Sequence, residues 1–543
     1  MTDARWLIAA SGVSHLGGWL YNVALLAYVY NSTGSAGWVG AATVCRLLPA
    51  VPLAPLGGVV ADRHSSRSVL LWGDLLRGSL MLTLTLVVSA DGPVLMVVAL
   101  TALMSAAGTA EQPATTAMLP VLVGESRLGA ANALLRTVQD VGTVAGPALG
   151  AVLLYVGPAE GPFLATALAV AVSAMLVSTT GLRASATSSG PDVSLAPIRG
   201  GFRVARSTPF VMPLLLVVAM AELTYGAQIV QLVLYADRRL DIGPEGYGYL
   251  LCAAAVGGLL SARLHHRLAA QTRVAGTVVA AAGIYCATQL VYAGTDTLGL
   301  ALAVALLGGA AIVTCEVVTH TALARVVPSA VIARVLGVQH VFSITAVVAG
   351  ALLAPVLIAA TSLRVSLAVL GLGSLLVSLL CRGALRGLDE LSQRRTEVLA
   401  RNVAVLERLP IASGLSRAVL EQLAGAGQMC PLPPGVDVVV EGAPAHAFYA
   451  MVEGSAVVHR DDQEVARLGP GDHFGERGLL DRASRNATVT TAEQSTVLRL
   501  EGEVLLQALQ AAPALLFVLD GSGLAPGQEQ PTALVDDPTW AGA

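Results

Sequence analysis

The chain has 543 residues, of which 55% are hydrophobic and 13% are charged, and its mean hydropathy is +0.70. These values exclude an ordinary soluble protein of this length and predict that most of the chain faces lipid. The formal net charge of -4 argues against a nucleic-acid partner, because phosphate backbones require a basic excess.

Twelve segments are long and apolar enough to span a membrane, and we expect a helix in each. They are residues 6–30, 36–61, 68–90, 93–122, 128–156, 160–182, 209–235, 246–268, 273–294, 297–326, 331–360 and 364–387. The first continues to Tyr30 without a cleavage site, so it is predicted to be retained. The predicted fold class is therefore a multi-pass α-helical membrane protein with two six-helix halves, 1–182 and 209–387.

The distribution of arginine between the loops predicts the orientation in the plasma membrane. Arginines cluster in alternate loops, at Arg63 and Arg67, at Arg127, in the Ser/Gly/Pro-rich linker 183–208, at Arg263 and Arg267, and at Arg382. Because positively charged loops stay on the cytoplasmic side, both termini are expected there.

The pattern changes after the last predicted span. Residues 388–408 interleave charged and apolar side chains at helical spacing and predict a connecting helix. Short β-like runs separated by glycines follow, at Val436–Val440, Phe448–Val452, Ala456–Arg460, Ala487–Thr491 and Thr496–Leu500. We expect an antiparallel β-roll domain over 409–519 and a disordered tail over 520–543.

A charged turn follows the second predicted span, with Gly58, Asp62, Arg63 and Arg67 in the sequence Gly57-Gly58-Val59-Val60-Ala61-Asp62-Arg63-His64-Ser65-Ser66-Arg67. It resembles the G-x-x-x-D-[RK]-x-G-[RK]-[RK] loop of the major facilitator superfamily, with serines replacing a glycine and a basic residue. The resemblance implies a secondary transporter whose conformational gate includes this turn. The alternative is an ordinary charged turn that has no role in gating.

The fifth predicted span contains Gly142, Gly146, Pro147 and Gly150. This spacing resembles the glycine-proline motif of proton-coupled antiporters in the same superfamily. A small-residue face for helix packing is the alternative, since such faces are common in membranes. Together with the sequences around Arg127 and Arg199, this resemblance favours the branch of the superfamily that contains macrolide and siderophore exporters.

Ionisable residues at membrane depth are costly and normally face a cavity or a partner. We expect the proton-coupling residues to be among Glu111, Asp140, Glu222, Glu316 and His320. Glu316 and His320 are four residues apart and share one helix face. For each of them an interhelical ion pair is the alternative, such as Asp140 with Arg46 or Arg136.

The chain has no G-x-x-x-x-G-K-[ST] motif, so we expect no ATP hydrolysis and no enzyme activity. A gradient must then supply the work of transport. A largely apolar cavity with a few polar groups would suit a small amphipathic substrate, and the surrounding partner is membrane lipid. The sequence predicts no metal site and no required cofactor, because its six cysteines lie far apart without C-x-x-C spacing.

One cassette in the β-roll is specific: Phe474-Gly475-Glu476-Arg477-Gly478-Leu479-Leu480, then Arg485-Asn486-Ala487. It resembles the cyclic-nucleotide-binding domain of kinases, ion channels and bacterial regulators. The resemblance implies that Glu476 accepts from the ribose 2′-hydroxyl and that Arg485 pairs with the cyclic phosphate. Phe474, Gly475, Gly478, Leu479, Asn486 and Ala487 would complete the site.

The regulatory ligand implied by this resemblance is cAMP or cGMP, with cAMP favoured. Asn486 stands where alanine often accompanies cAMP selectivity and threonine cGMP selectivity, so the base preference stays open. The helix after the roll is interrupted by Pro513, and Leu516 or Phe517 would cover the base. Two alternatives remain: a non-transporting receptor, and a roll that serves only assembly, for example in a homodimer through this domain.

Overall fold

The structure is a computed structural model that describes residues 2–123, 127–180, 196–269, 274–327, 329–409, 417–461, 463–480 and 483–511. The chain divides into two compact units, Met1–Ser392 and Gln393–Ala543. The predicted linker segment 183–195, the lid residues Leu516 and Phe517, and the tail 520–543 lie outside the described residues.

The first unit is helical. Its helices are α1 (Thr2–Thr33), α2 (Ala36–Leu47), α3 (Ala50–Arg63), α4 (Ser66–Ser89), α5 (Val94–Ala107), α6 (Glu111–Val123), α7 (Leu128–Val156), α8 (Gly161–Ser178), α9 (Ala196–Ser207), α10 (Val211–Arg238), α11 (Tyr247–Ala269), α12 (Val274–Gly294), α13 (Leu298–Val326), α14 (Ser329–Ala360) and α15 (Leu363–Ala384). Among the described residues, nine segments are long and apolar enough to cross a membrane. Each of the twelve spans predicted from the sequence corresponds to one or two of the helices α1–α8 and α10–α15.

Two predicted spans are interrupted. The second divides into α2 and α3 at Leu48 and Pro49, because proline has no N–H to continue the helix. The fourth divides into α5 and α6 through a 3₁₀ turn at Gly108–Ala110. A 3₁₀ turn within a long helix often marks a functional hinge.

The buried apolar residues of this unit form three clusters. One joins both halves near the end of the bundle that holds Thr33, and it includes Tyr28, Val39, Tyr235 and Ala351. The other two lie near the opposite end, which holds Thr2. One of these contains only first-half residues such as Leu7 and Met118, and the other only residues from Ala205 onward. The halves therefore share a core at the Thr33 end and have separate cores at the Thr2 end.

Polar contacts reinforce the shared end. The Tyr30 hydroxyl donates to Asp237 at 3.2 Å and accepts from the Arg238 Nε at 2.8 Å. The Asn31 amide donates to Glu245 at 2.9 Å. These bonds join α1 of the first half to α10 and the following turn of the second half, and so stabilise closure at the Thr33 end.

The second unit contains the predicted β-roll. Helix α16 (Arg386–Leu406) leads into it from the first unit, and the other elements are α17 (Arg417–Ala426), β1 (Gln428–Leu432), β2 (Asp437–Val439), β3 (Ala447–Glu453), β4 (Ala456–Arg460), β5 (Gln463–Leu468), β6 (His473–Phe474), α18 (Glu476–Leu480), β7 (Thr488–Thr491), β8 (Ser495–Glu501) and α19 (Gly502–Ala511). Two four-stranded antiparallel sheets have the orders β1-β8-β3-β6 and β2-β7-β4-β5.

The core of the roll has two parts. Met451, Phe474, Val489 and Val497 are buried in one cluster to which both sheets contribute. In the other, helices α16, α17 and α19 pack against Phe448 and its neighbours. The predicted antiparallel roll is thus confirmed. Strand β6 and the following helix α18 place the predicted cassette at one edge of this core.

Candidate functional site

The cassette begins where β6 passes into α18. Phe474 is buried and stacks on Tyr449, with ring centroids 5.2 Å apart, which fixes the chain before the turn. Gly475 has φ +90°, and a Cβ there would lie 2.7 Å from the Arg485 Nη1. Glycine therefore suits this position both for its conformation and for the close approach of the guanidinium.

Arg485 is the central cation of the cassette and is only 7% exposed. Its Nη1 donates to the Gly475 carbonyl at 2.6 Å and its Nη2 to the Ala447 carbonyl at 2.5 Å. Burial lowers the pKa of Arg485, while Tyr449 and Glu476 nearby raise it. The partners of the guanidinium are neutral carbonyls, so its positive charge is available to an anion.

Glu476 lies close enough to Arg485 to interact with it electrostatically, so the structure brings the two predicted residues together. Its Oε2 is buried and has no hydrogen-bond partner within the described part of the chain. A buried carboxylate oxygen without a donor is costly. A ligand hydroxyl would supply that donor.

The remaining cassette residues surround this pair. Leu479 is buried, Asn486 is exposed and Ala487 is half-buried just before β7. A Cβ at Gly478 would lie 2.9 Å from the Ala445 Cβ, so the turn packs closely against the chain before β3. A neighbouring cavity of about 760 Å³ is lined by Gly478, Leu479 and Ser484 among others, but not by Glu476 or Arg485.

In the membrane unit, Glu111 belongs to a buried charged group. Its carboxylate accepts from Arg77 at 2.5 Å and from the Ser14 hydroxyl at 3.2 Å. Arg77 also pairs with Asp74, which in turn accepts from Ser173 at 2.8 Å. Sequence reasoning missed Asp74 and Arg77, although an Asp-x-x-Arg spacing inside the predicted span 68–90 was a usable signal.

The second-half candidates lie on neighbouring helices. Glu222 on α10 and Glu316 on α13 are close enough to interact electrostatically. Glu316 and His320 are both exposed, on the face of α13 that the spacing predicted. Near Glu222 on α10, Gln228 accepts from the Tyr285 hydroxyl and lines a small apolar cavity of about 50 Å³ with Tyr225 and Tyr247.

Asp140 lies on an exposed part of α7 and interacts electrostatically with His15, as Glu111 does. Within the described ranges, no ion pair within 4.0 Å joins Asp140 to Arg46 or Arg136, the partners considered from the sequence.

The predicted gate segment spans the end of α3 and the start of α4. Arg67 donates to the Ser178 carbonyl at 2.5 Å, whereas Arg63 is exposed. The side chain of Asp62 lies outside the described part of the structure. The close-packed glycine is Gly57, whose Cβ would lie 2.6 Å from the Thr109 carbonyl oxygen, and a Cβ at Gly58 would meet no atom within 4 Å.

The glycines of the motif in the fifth predicted span, which is helix α7, pack against α1. A Cβ at Gly142, Gly146 or Gly150 would lie 3.0, 2.6 and 2.8 Å from Leu16, Trp19 and Leu20, respectively. The motif therefore brings α7 and α1 into close contact. This is the role expected of a small-residue face for helix packing.

Comparison with known families identifies both units. The sequence profile of the Major Facilitator Superfamily matches residues 7–338. The chain belongs to the Major Facilitator Superfamily. The profile of the cyclic nucleotide-binding domain matches residues 430–512, so this superfamily member carries such a domain at its C-terminal end. The fold class and the family predicted from the sequence are confirmed.

Individual relatives resemble one unit each. The macrolide efflux protein A of Streptococcus pyogenes is 28% identical over 149 residues, 27% of this chain and 37% of that protein. The cAMP-dependent protein kinase regulatory subunit of Hypocrea atroviridis is 30% identical over 125 residues, 23% of this chain and 27% of that protein. This superfamily member thus spans about a quarter to two-fifths of the length of these relatives.

Among solved structures, the regulatory domain of Toxoplasma gondii PKA, crystallised with cAMP, is similar to the second unit. Its sequence identity is 22%, the match covers 26% of this chain and 56% of that chain, and the TM-score is 0.24.

Proposed function

We propose that this chain is a secondary active exporter that is driven by protons, carries a small amphipathic molecule and is regulated by cAMP. The observation that carries the proposal is the union, in one polypeptide, of a Major Facilitator Superfamily unit and a domain that holds Glu476 beside Arg485. Neither unit alone would suggest regulated transport.

The three cores of the membrane unit support an alternating-access cycle. We take the Thr2 end as cytoplasmic because the arginine-rich loops lie there, which puts both termini on the cytoplasmic side of the plasma membrane. Since the described residues of the two halves share a core near the Thr33 end and form separate cores at the other end, this structure then represents a state closed to the outside.

Protons are the proposed source of work. One proton that moves inward across about 100 mV supplies about 2.3 kcal/mol from the electrical term alone. Glu111, Glu222 and Glu316 are the carboxylates that we propose for proton binding, with His320 beside Glu316. Asp140 is a further candidate, and it interacts electrostatically with His15 on α1. Export is favoured by the similarity to a macrolide efflux protein.

The cassette supplies the proposed regulatory site. The cyclic phosphate would replace the carbonyl oxygens at the Arg485 guanidinium, and the ribose 2′-hydroxyl would donate to the free Glu476 oxygen. We propose cAMP rather than cGMP because several relatives of this domain are named as cAMP-dependent protein kinase regulatory subunits.

Binding would act through a difference in affinity between two states of the exporter. Couplings of about 1–3 kcal/mol change state populations about 5- to 150-fold. The proposed domains are those predicted from the sequence, with helix α16 as the covalent link through which binding biases the membrane unit. A homodimer through the C-terminal domain is also part of this proposal.

The function can be tested in inside-out vesicles that contain the full chain and have an acidic lumen. A radiolabelled macrolide serves as the probe, and export appears as its accumulation in the lumen. We expect accumulation that a protonophore abolishes. Empty vesicles provide the control.

Two results would contradict the proposal. Accumulation that persists without a pH gradient would exclude proton coupling. Vesicles that neither accumulate the macrolide nor release protons when it is added would favour a receptor that does not transport it.

A further inference from the structure

Arg46 on helix α2 places a positive charge inside the membrane unit, and this carries an inference that rests on the proposed export. We infer that Arg46 binds the negatively charged head of the transported molecule, so that the substrate class is an amphipathic organic anion. Tyr225 and Tyr247 of the second half complete the site.

Arg46 lies at membrane depth. It is in the last turn of α2, ten residues after the start of that helix at Ala36, which is roughly 15 Å along the helix axis. The same predicted span continues beyond it through α3 as far as Arg63. A charge at this depth is costly, and it normally faces a cavity or a partner of opposite charge.

The guanidinium of Arg46 has no carboxylate partner. Among the residues that the structure describes, no ion pair within 4.0 Å includes it, and its Nε is buried without a hydrogen-bond acceptor. The carboxylate of Glu222 interacts with Glu316 instead. The negative end of the α2 dipole helps to hold a cation in the last turn, but it leaves the guanidinium N–H groups free to donate.

The groups around this guanidinium are tyrosines from both halves of the membrane unit. The guanidinium interacts electrostatically with Tyr21 on α1 of the first half, and with Tyr225 on α10 and Tyr247 on α11 of the second half. The site therefore lies between the halves. A transported molecule must contact both halves there, because they move against each other around the bound substrate.

Arg46 also lies where the core shared by the two halves ends. Its neighbours Cys45 and Leu47 pack against that shared core, whereas Leu48 is exposed. Since α2 begins beside Thr33, the residues after Arg46 lie nearer the Thr2 end, where the halves have separate cores. An anion that enters between the halves from the Thr2 side therefore meets the guanidinium where the shared core closes the path.

Apolar surface lies beside the charge and suits the rest of an amphipathic ligand. Tyr225 and Tyr247 line the apolar cavity of about 50 Å³ together with Ile229 and Leu250. A carboxylate forms a charge-assisted bond with a guanidinium, whereas a neutral carbonyl, such as the lactone of a macrolide, forms a weaker one. A ligand with an anionic head and an apolar body uses both parts of the site.

The test compares amphipathic carboxylates with their uncharged primary amides, which have nearly the same shape. Decanoate, naphthalene-1-acetate and cholate, and the amide of each, are titrated by calorimetry into the full chain in phosphatidylcholine nanodiscs, with empty nanodiscs as the blank. We expect at least one carboxylate to bind at least about tenfold more tightly than its amide, because only the carboxylate forms a charge-assisted bond. Arg46→Gln should remove this preference.

Arg364→Gln is the matched control, because Arg364 belongs to the same unit but already pairs with Asp296 at 3.3 Å. It should keep the preference for the carboxylate. Arg46→Lys is used if Arg46→Gln is not recovered as a single species in size-exclusion chromatography. Because lysine keeps the charge but lacks the planar fork of arginine, the affinity for the carboxylate should fall by a larger factor than the affinity for the amide.

Equal affinities of the original chain for each carboxylate and its amide, or binding of none of these ligands, overturn the inference. A preference that survives in Arg46→Gln, a preference that is lost in Arg364→Gln, or equal losses for both ligands in Arg46→Lys overturn it as well. The titrations use no proton gradient and no transport step. Their failure therefore leaves the vesicle assay of export standing, and vesicles that do not export leave the binding preference standing.

Discussion

Two arginines, one in each unit, are held by partners of different kinds. Arg485 in the β-roll donates to two neutral backbone carbonyls, with the Glu476 carboxylate nearby. Arg77 in the membrane unit donates to two carboxylates. Both guanidiniums form hydrogen bonds, but only the hydrogen-bond partners of Arg485 are neutral.

The difference indicates what each site lacks. A cation held by neutral dipoles can bind an anion, because a phosphate forms stronger, charge-assisted bonds than a carbonyl does. A cation shared by two carboxylates has an excess of negative charge and can bind a proton instead. The same residue type thus serves proposed anion recognition in one unit and proposed proton binding in the other.

The largest expected effect is at Arg485. Arg485→Gln can still donate to a backbone carbonyl but cannot pair with a phosphate. We expect cAMP binding to weaken at least about 30-fold, since truncation of a buried charge pair costs about 2–5 kcal/mol. Isothermal titration calorimetry on the full chain measures this.

Arg477→Gln is the matched control, because Arg477 is exposed in the same cassette. It should bind cAMP as the original chain does. Equal affinities for Arg485→Gln and Arg477→Gln would show that the charge of Arg485 is not used for ligand binding.

A smaller effect is expected at Glu476. If its Oε2 accepts from the ribose hydroxyl, the original chain should bind 2′-deoxy-cAMP at least about 10-fold more weakly than cAMP, because a hydrogen bond to a charged group contributes about 1.5–3 kcal/mol. Glu476→Ala should bind both ligands with the same reduced affinity. If the variant still discriminates between the two ligands, the hydroxyl is bound elsewhere.

The smallest expected effect is at Ser173. Ser173→Ala removes a donor to the deeply buried Asp74 and should lower the thermal unfolding midpoint, with a cost of about 1–3 kcal/mol. An unfolding midpoint equal to that of the original chain would show that this bond does not stabilise the membrane unit.

Much of the fold could be predicted because its signals are local. Long apolar runs predicted the helices of the membrane unit, and glycine-separated runs predicted strands β2, β3, β4, β7 and β8. Strand β1 contains Pro431, β5 is largely polar, and β6 has two residues, so their pairing depends on tertiary contacts that periodicity does not report.

The cassette and the Arg77 group differ in how far apart their residues lie in the sequence. Glu476 and Arg485 lie nine positions apart in a recognisable cassette, and the structure brings them together. The Arg77 group instead draws on α1, α4, α6 and α8, and its members are up to 99 residues apart in the individual bonds. Such an arrangement requires knowledge of helix packing, and for this reason the sequence pointed to Glu111 alone.

The central claim is that cyclic nucleotide binding biases the state of the transporter. The most direct test measures the distance between spin labels at Ala130→Cys on α7 and Ala384→Cys on α15, both exposed positions, with and without saturating cAMP. The labelled protein is the full chain with its native cysteines replaced by alanine. We predict that cAMP changes the ratio of the two distance populations at least about fivefold, and that Arg485→Gln abolishes this change. Populations that stay the same while calorimetry shows cAMP bound would contradict the account.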